Sequence, residues 1–150
     1  MQQIDISSQY LLGIINDILD MSRIEQGKLV LHPEWTYINE IIPPCIAMME
    51  PMMQAKNIRF TYSLQEEDFT CFQVYADSLR LKQIIMNLLN NAYKFTDNGG
   101  TIDFSSKTIT RGEGQCIREY RISDNGCGMG SEFLEKAFAP FEQEQSSYSN

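Results

Sequence analysis

The chain has 150 residues, 43% hydrophobic and 11% aromatic, enough to bury a core in one domain with an appended element. Its formal net charge of −8 excludes broad nucleic-acid binding, which needs a basic surface, and leaves small anions only where positive charge is local. Cysteines 45, 71, 116 and 127 form no C-x-x-C pair and His32 is the single histidine, so no zinc site assembles at recognisable spacing.

Scattered thiols without a signal peptide predict a reducing, cytoplasmic setting. No run approaches the roughly 20 apolar residues that a membrane span needs.

In chain order, "IDISSQYLLGIINDILDMSRIEQG" has helical periodicity. Ile4, Leu11 and Ile18 recur every seven residues, with Ile14 and Met21 adding the second seam position and Gly27 the stop. Such a stripe fits either an amphipathic helix packed on its own domain or half of an intermolecular helical bundle. "LVLHPEWTY" reads as extended, since Pro33 biases His32 away from the helical region. From Ile38 to Lys56 the pattern is helical, with Pro43, Pro44 and Pro51 in first turns or kinks and Met48, Met49, Met52 and Met53 filling irregular core space. "NIRFTYSL" and "FQVYAD" alternate like strands. A helix over Ser78–Phe95 ends at "DNGG". "TIDFSSKTIT" and "QCIREYRIS" flank "RGEG" as a hairpin, "DNGCGMG" is a glycine loop, and "SEFLEKAFAPFEQEQ" is a short helix entering a lid-like segment. Helices mixed with antiparallel strands predict an α+β class.

The helix over residues 80–94 carries the most chemistry. At about 100° per residue, Leu81, Ile84, Ile85, Met86, Leu88, Leu89, Ala92 and Tyr93 fill the apolar arc of what otherwise reads as a buried helix, with Lys82 snorkelling from it. Arg80, Gln83, Asn87, Asn90, Asn91 and Lys94 share the rest, and this arc holds no acid in an acid-rich chain. Amides at i and i+4 with lysine at i+7 supply neutral oxygen ligands beside a point charge, which suits a metal-bound polyphosphate. A polar, solvated helix face is the alternative. Downstream, Asp124 at a strand end could accept the exocyclic amine of adenine, and Gly126, Gly128 and Gly130 let the backbone approach a ligand closely. A simple Asp-Asn-Gly turn is the alternative there.

These segments resemble a known family. "DSLRLKQIIMNLLNNAYKFTDNGG" looks like the N box of sensor histidine kinases, "DNGCGMG" like their G1 box, and "KAFAPFEQ" like their F box, with Phe138, Pro140 and Phe141 at its motif positions. The upstream "LLGIINDILDMSRIEQGKLVLHPEW" is similar to their second dimerisation helix entering the catalytic domain. The resemblance implies a Bergerat-type (GHKL) ATP-binding sandwich, a mixed sheet covered on one face by helices. It implies residues 1–27 as part of a dimerisation and phosphotransfer bundle and 28–150 as the ATP-binding domain, cut before its G2 box. It also implies ATP and Mg²⁺ as cofactors. Asn87 matches the magnesium ligand, Asn91 the second N-box asparagine and Lys94 the phosphate-binding lysine; Asn87 and Lys94 are then the catalytic pair. Phe95 lies where the family places an aromatic against adenine, Asp124 matches the adenine-reading aspartate, Gly126 and Gly128 the G1 glycines, and Phe138 the F box. Implied partners are a second copy through the N-terminal helix, a phosphoacceptor histidine and a response-regulator receiver domain. The implied location is the cytoplasmic region of a membrane-bound sensor, attached through parts outside this chain.

Two departures qualify the resemblance. His32 follows the second helix and lacks the acid and T-P neighbours of a phosphoacceptor, so the target histidine is expected elsewhere. The G2 box is missing. A non-catalytic nucleotide-binding or dimerisation module, or an ATP-hydrolysing relative of the same superfold, therefore stays open.

Overall fold

A computed structural model of the chain describes residues 15, 18–65, 73–112, 115–134 and 136. It divides into two compact units, His32–Met129 and a second comprising Met1–Leu31 with Gly130–Asn150. In the second unit, helix α1 covers residues 18–25. It ends where the Gly27 N–H donates to the Ile24 carbonyl (3.0 Å) and the Lys28 N–H to that of Arg23 (2.8 Å). Ile18, Leu19 and Ile24 on α1 are about half exposed. Ile4, Leu11 and Ile14 lie outside the described residues.

The larger unit runs β1 (Glu34–Tyr37), a 3-10 turn (Ile38–Glu40), α2 (Ile42–Ala55), β2 (Arg59–Ser63), β3 (Gln73–Ala76), α3 (Ser78–Phe95), β4 (Thr101–Gly112) and β5 (Gln115–Asp124). A last short helix, α4 (Ser131–Leu134), belongs to the other unit. Among the described residues, β1 and β3 form an antiparallel pair, while β2, β4 and β5 form a mixed sheet in that order, β2–β4 parallel and β4–β5 antiparallel. The mixed sheet fits the expected sandwich. The hairpin is tighter than "RGEG" suggested, because β4 continues to Gly112 and β5 resumes at Gln115.

Alternation decides which sheet face is covered. Ile102, Phe104 and Ser106 on β4 are buried, and their β5 partners Asp124, Ile122 and Tyr120 share that face. Against it lie α2, through Ile42, Cys45, Ile46, Met49 and Met53, and α3, through Ile85, Leu89 and Ala92. These positions recur at helical spacing, so each helix buries one stripe. Pro43 and Pro44 occupy the first turn of α2, where a missing N–H costs nothing. Pro51 sits inside the helix on its exposed side.

Two expectations fail here. Ile84 and Leu88 are 56% and 51% exposed, because the sheet contacts only a narrow stripe of α3 and the apolar arc read from periodicity is wider than that. Met48 and Met52, likewise, are exposed (60% and 40%), and only Met49 and Met53 enter the core.

Candidate functional site

The α3 helix begins as its sequence dictates. Asp77, extended at φ −77° and ψ 102°, caps it by accepting from the Arg80 N–H at 3.1 Å. Its other carboxylate oxygen accepts from the His32 N–H at 3.0 Å. These two backbone bonds, His32's first, hold the Asp77 carboxyl below its ordinary pKa. Sequence reasoning overlooked Asp77 as a cap, although an aspartate just before a periodic run is a start signal.

Up the same side of α3, the Arg80 guanidinium donates to Gln83 Oε1 at 2.8 Å. Asn87, Asn91 and Lys94 follow at i, i+4 and i+7, all exposed. The Asn87 and Asn91 side chains have no hydrogen-bond partner among the described residues. Two unengaged amides and an ammonium on one helix side can offer oxygen to a hard cation and positive charge to a phosphate, so these residues fit a magnesium-bound polyphosphate. The Lys94 ammonium lies 4.8 Å from the centroid of the Phe95 ring, and Phe95 is 45% exposed. An aromatic face that holds a cation can also stack a purine.

The glycine loop is fastened to the C-terminal end of this helix. The Cys127 N–H donates to the Phe95 carbonyl at 3.3 Å. Gly126 makes this approach possible, since a Cβ there would overlap that carbonyl and lie 2.9 Å from Asp124 Oδ1. Gly128 serves a different need, with φ +70° in open space. Asp124, the last residue of β5, accepts the Gly126 N–H on Oδ1 at 2.9 Å, which leaves Oδ2 for a ligand. Asn125 anchors the loop from the other side, its Oδ1 accepting from the Thr101 N–H at 2.7 Å. Sequence reading missed that anchor. Phe138 lies outside the described residues.

A concavity of about 390 Å³ lined by Arg59, Thr61, Asp103, Ser123 and Asn125 also reaches Asp124. Thr61 donates to Asp103 there at 2.9 Å. Asp103 and Ser123 alternate with the buried face of β4 and β5, so this hollow lies mainly on the sheet face opposite α2 and α3, away from the α3 ladder. Of the two described free thiols, Cys45 is buried in the core and Cys127 is exposed in the loop. Burial pushes the Cys45 thiol up, against the weaker pull of Lys82.

The family model for histidine kinase-, DNA gyrase B-, and HSP90-like ATPases matches residues 76–150. The cell-division control histidine kinase PdhS of Brucella canis is 34% identical over 143 residues, covering 95% of this chain and 13% of that protein. The chain thus spans about an eighth of that curated relative's length. The solved catalytic domain of histidine kinase ThkA is similar with TM-score 0.63 and 27% identity, over 74% of this chain and 70% of that one. ThkA solved in complex with the response regulator protein TrrA is similar with TM-score 0.64 and 25% identity, over 90% of this chain and 40% of that one.

Proposed function

We propose that this chain, which belongs to the histidine kinase-, DNA gyrase B- and HSP90-like ATPase family, supplies the ATP-binding catalytic region of a sensor histidine kinase. One observation carries the reading: the Asp124 loop is fastened, through Cys127 and Phe95, to the helix that bears Asn87, Asn91 and Lys94. A single ligand can then meet an adenine acceptor on the loop and a polyphosphate ladder on the helix.

In this reading Asp124 Oδ2 accepts the adenine amine, and Phe95 stacks against the ring once Lys94 turns to a phosphate oxygen. Asn87 holds Mg²⁺ through its amide oxygen, with Asn91 beside it. The cation, when bound, neutralises charge on the phosphates, and catalysis of phosphoryl transfer is mostly such positioning and neutralisation. The nucleophile is a histidine on another part of the protein, so the domain needs no covalent residue of its own. An amide at Asn87 cannot take a proton from water, which favours transfer over the hydrolysis run by relatives with a carboxylate base.

Residues 1–27 are read as the second helix of a dimerising bundle. The exposed Ile18, Leu19 and Ile24 of α1 support this, and the partner there is a second copy. The onward acceptor is a response-regulator aspartate, a reading supported by ThkA having been solved with TrrA. No helix among the described residues is long and apolar enough to cross a membrane.

Asn87→Asp tests the metal role. Affinity for Mg²⁺-ADP should change more than affinity for ADP in EDTA, measured by calorimetry, and identical shifts in both buffers would count against coordination by Asn87. Thiol labelling gives an independent check. Iodoacetamide on the native chain should modify Cys127 and spare Cys45, whose thiol is buried and held protonated. Mg²⁺-ADP should slow the Cys127 reaction, followed by peptide mass mapping. A Cys127 rate indifferent to saturating nucleotide would place the ligand away from the loop.

A further inference from the structure

Asp77 joins two parts of the chain 45 positions apart. Its Oδ2 holds the His32 N–H, at the residue where the larger unit begins, and its Oδ1 holds the Arg80 N–H in the first turn of α3. The Leu81 N–H adds a bond to the Asp77 carbonyl at 2.9 Å. From Arg80 the polar line continues through Gln83 to the side of α3 that carries Asn87, Asn91 and Lys94. One carboxylate therefore serves both the entry of the chain into the sandwich and the start of the ligand-bearing helix.

We propose that Asp77 is a positioning residue that couples the chain entry at His32 to the order of the α3 N-terminus, so that nucleotide bound on α3 and the backbone at His32 stabilise one another. The functional half of this rests on the nucleotide reading above. Physically, a carboxylate held from two sides has less freedom to leave the cap. Losing the His32 bond lets the first turn fray, and fraying costs the ladder above it some of its order. Linkage makes the effect reciprocal: a ligand that orders α3 must protect the His32 amide. Nothing in the arrangement requires His32 or Asp77 to touch the nucleotide.

Amide hydrogen exchange on the whole chain reads the coupling directly. His32→Pro deletes the remote N–H and leaves α3 and its cap unaltered in sequence. Exchange at Arg80 and Leu81 should then quicken about fivefold, the size expected for one net hydrogen bond. Because proline at residue 32 could itself disturb β1, Asp77→Asn provides a second route: it leaves one acceptor oxygen where there were two, so the His32 and Arg80 amides cannot both be held as before. With Mg²⁺-ADP added, protection of the His32 amide should rise in the unmutated chain and not in Asp77→Asn. Faster exchange confined to residues 31–34 in His32→Pro, with α3 unchanged, overturns the coupling. So does equal nucleotide protection of His32 in both chains. Failure of the unmutated chain to bind ADP would instead overturn the nucleotide reading, and the ligand-free exchange at Arg80 and Leu81 would still decide the coupling.

Discussion

Asp124→Ala is expected to lower affinity for ATP and ADP about tenfold, the cost of one charge-assisted hydrogen bond at the weaker end of its range. The fold should survive, because Asp124 is exposed at the end of β5 and supports none of the core. Its two oxygens have separate tasks. Oδ1 holds the Gly126 N–H, shaping the loop, and Oδ2 is the oxygen that the proposed function assigns to the adenine amine. Asp124→Asn separates them: an amide oriented to keep its oxygen on Gly126 turns an NH₂ donor towards the amine of the base, so its affinity should fall nearly as far while the loop stays shaped. Calorimetry with ATP and GTP measures both effects. Equal binding of the two nucleotides by the unmutated chain, or unchanged affinity in Asp124→Ala, would remove Asp124 from base recognition.

Gly126→Ala should be at least as damaging, for a steric reason. The added methyl overlaps the Phe95 carbonyl, which is backbone at the end of a helix and cannot swing aside as a side-chain tip would. Either the loop lifts and the Cys127–Phe95 bond is lost, or the end of α3 is displaced; overpacking of this kind costs about 1–3 kcal/mol. The expected signature is a lower Tm together with loss of nucleotide affinity. Gly128→Ala is the matched control. Its Cβ would meet nothing within 4 Å, and only the left-handed φ of +70° opposes it, a cost of about 1–2 kcal/mol. If Gly126→Ala retains nucleotide affinity as well as Gly128→Ala does, close docking of the loop on Phe95 is not what assembles the site.

Much of this was legible in the sequence, for reasons that are local. The bounds of α3 follow from an unbroken helical period that ends at a glycine turn, although its Asp77 cap was overlooked, and the hairpin follows from two alternating runs around a glycine pair. The ladder of Asn87, Asn91 and Lys94 is a matter of spacing alone. What escaped was non-local. Periodicity shows which residues of a helix are apolar but not how wide a stripe its partner covers, so Ile84 and Leu88 were expected inside and are exposed. The same applies to Met48 and Met52. Docking of Cys127 on Phe95, the Asn125 hold on Thr101 and the Asp77 bridge to His32 join residues about 25–45 positions apart. No pattern of single residues encodes such pairs.

The parallel pairing of β2 with β4 has a consequence for folding kinetics. Arg59 faces Thr101 across that ladder, so about forty residues of chain, including β3 and the whole of α3, must be looped out before the first rung forms. Closing such a loop costs entropy ahead of any reward from contacts, which slows the search relative to the adjacent β4–β5 hairpin. The hairpin can therefore form early, while the sheet against which α3 buries Ile85, Leu89 and Ala92 is completed late. Helix α3 packs on α2 and on β5 of that hairpin, so part of its tertiary support does not wait for the β2–β4 pairing, while the completed sheet does.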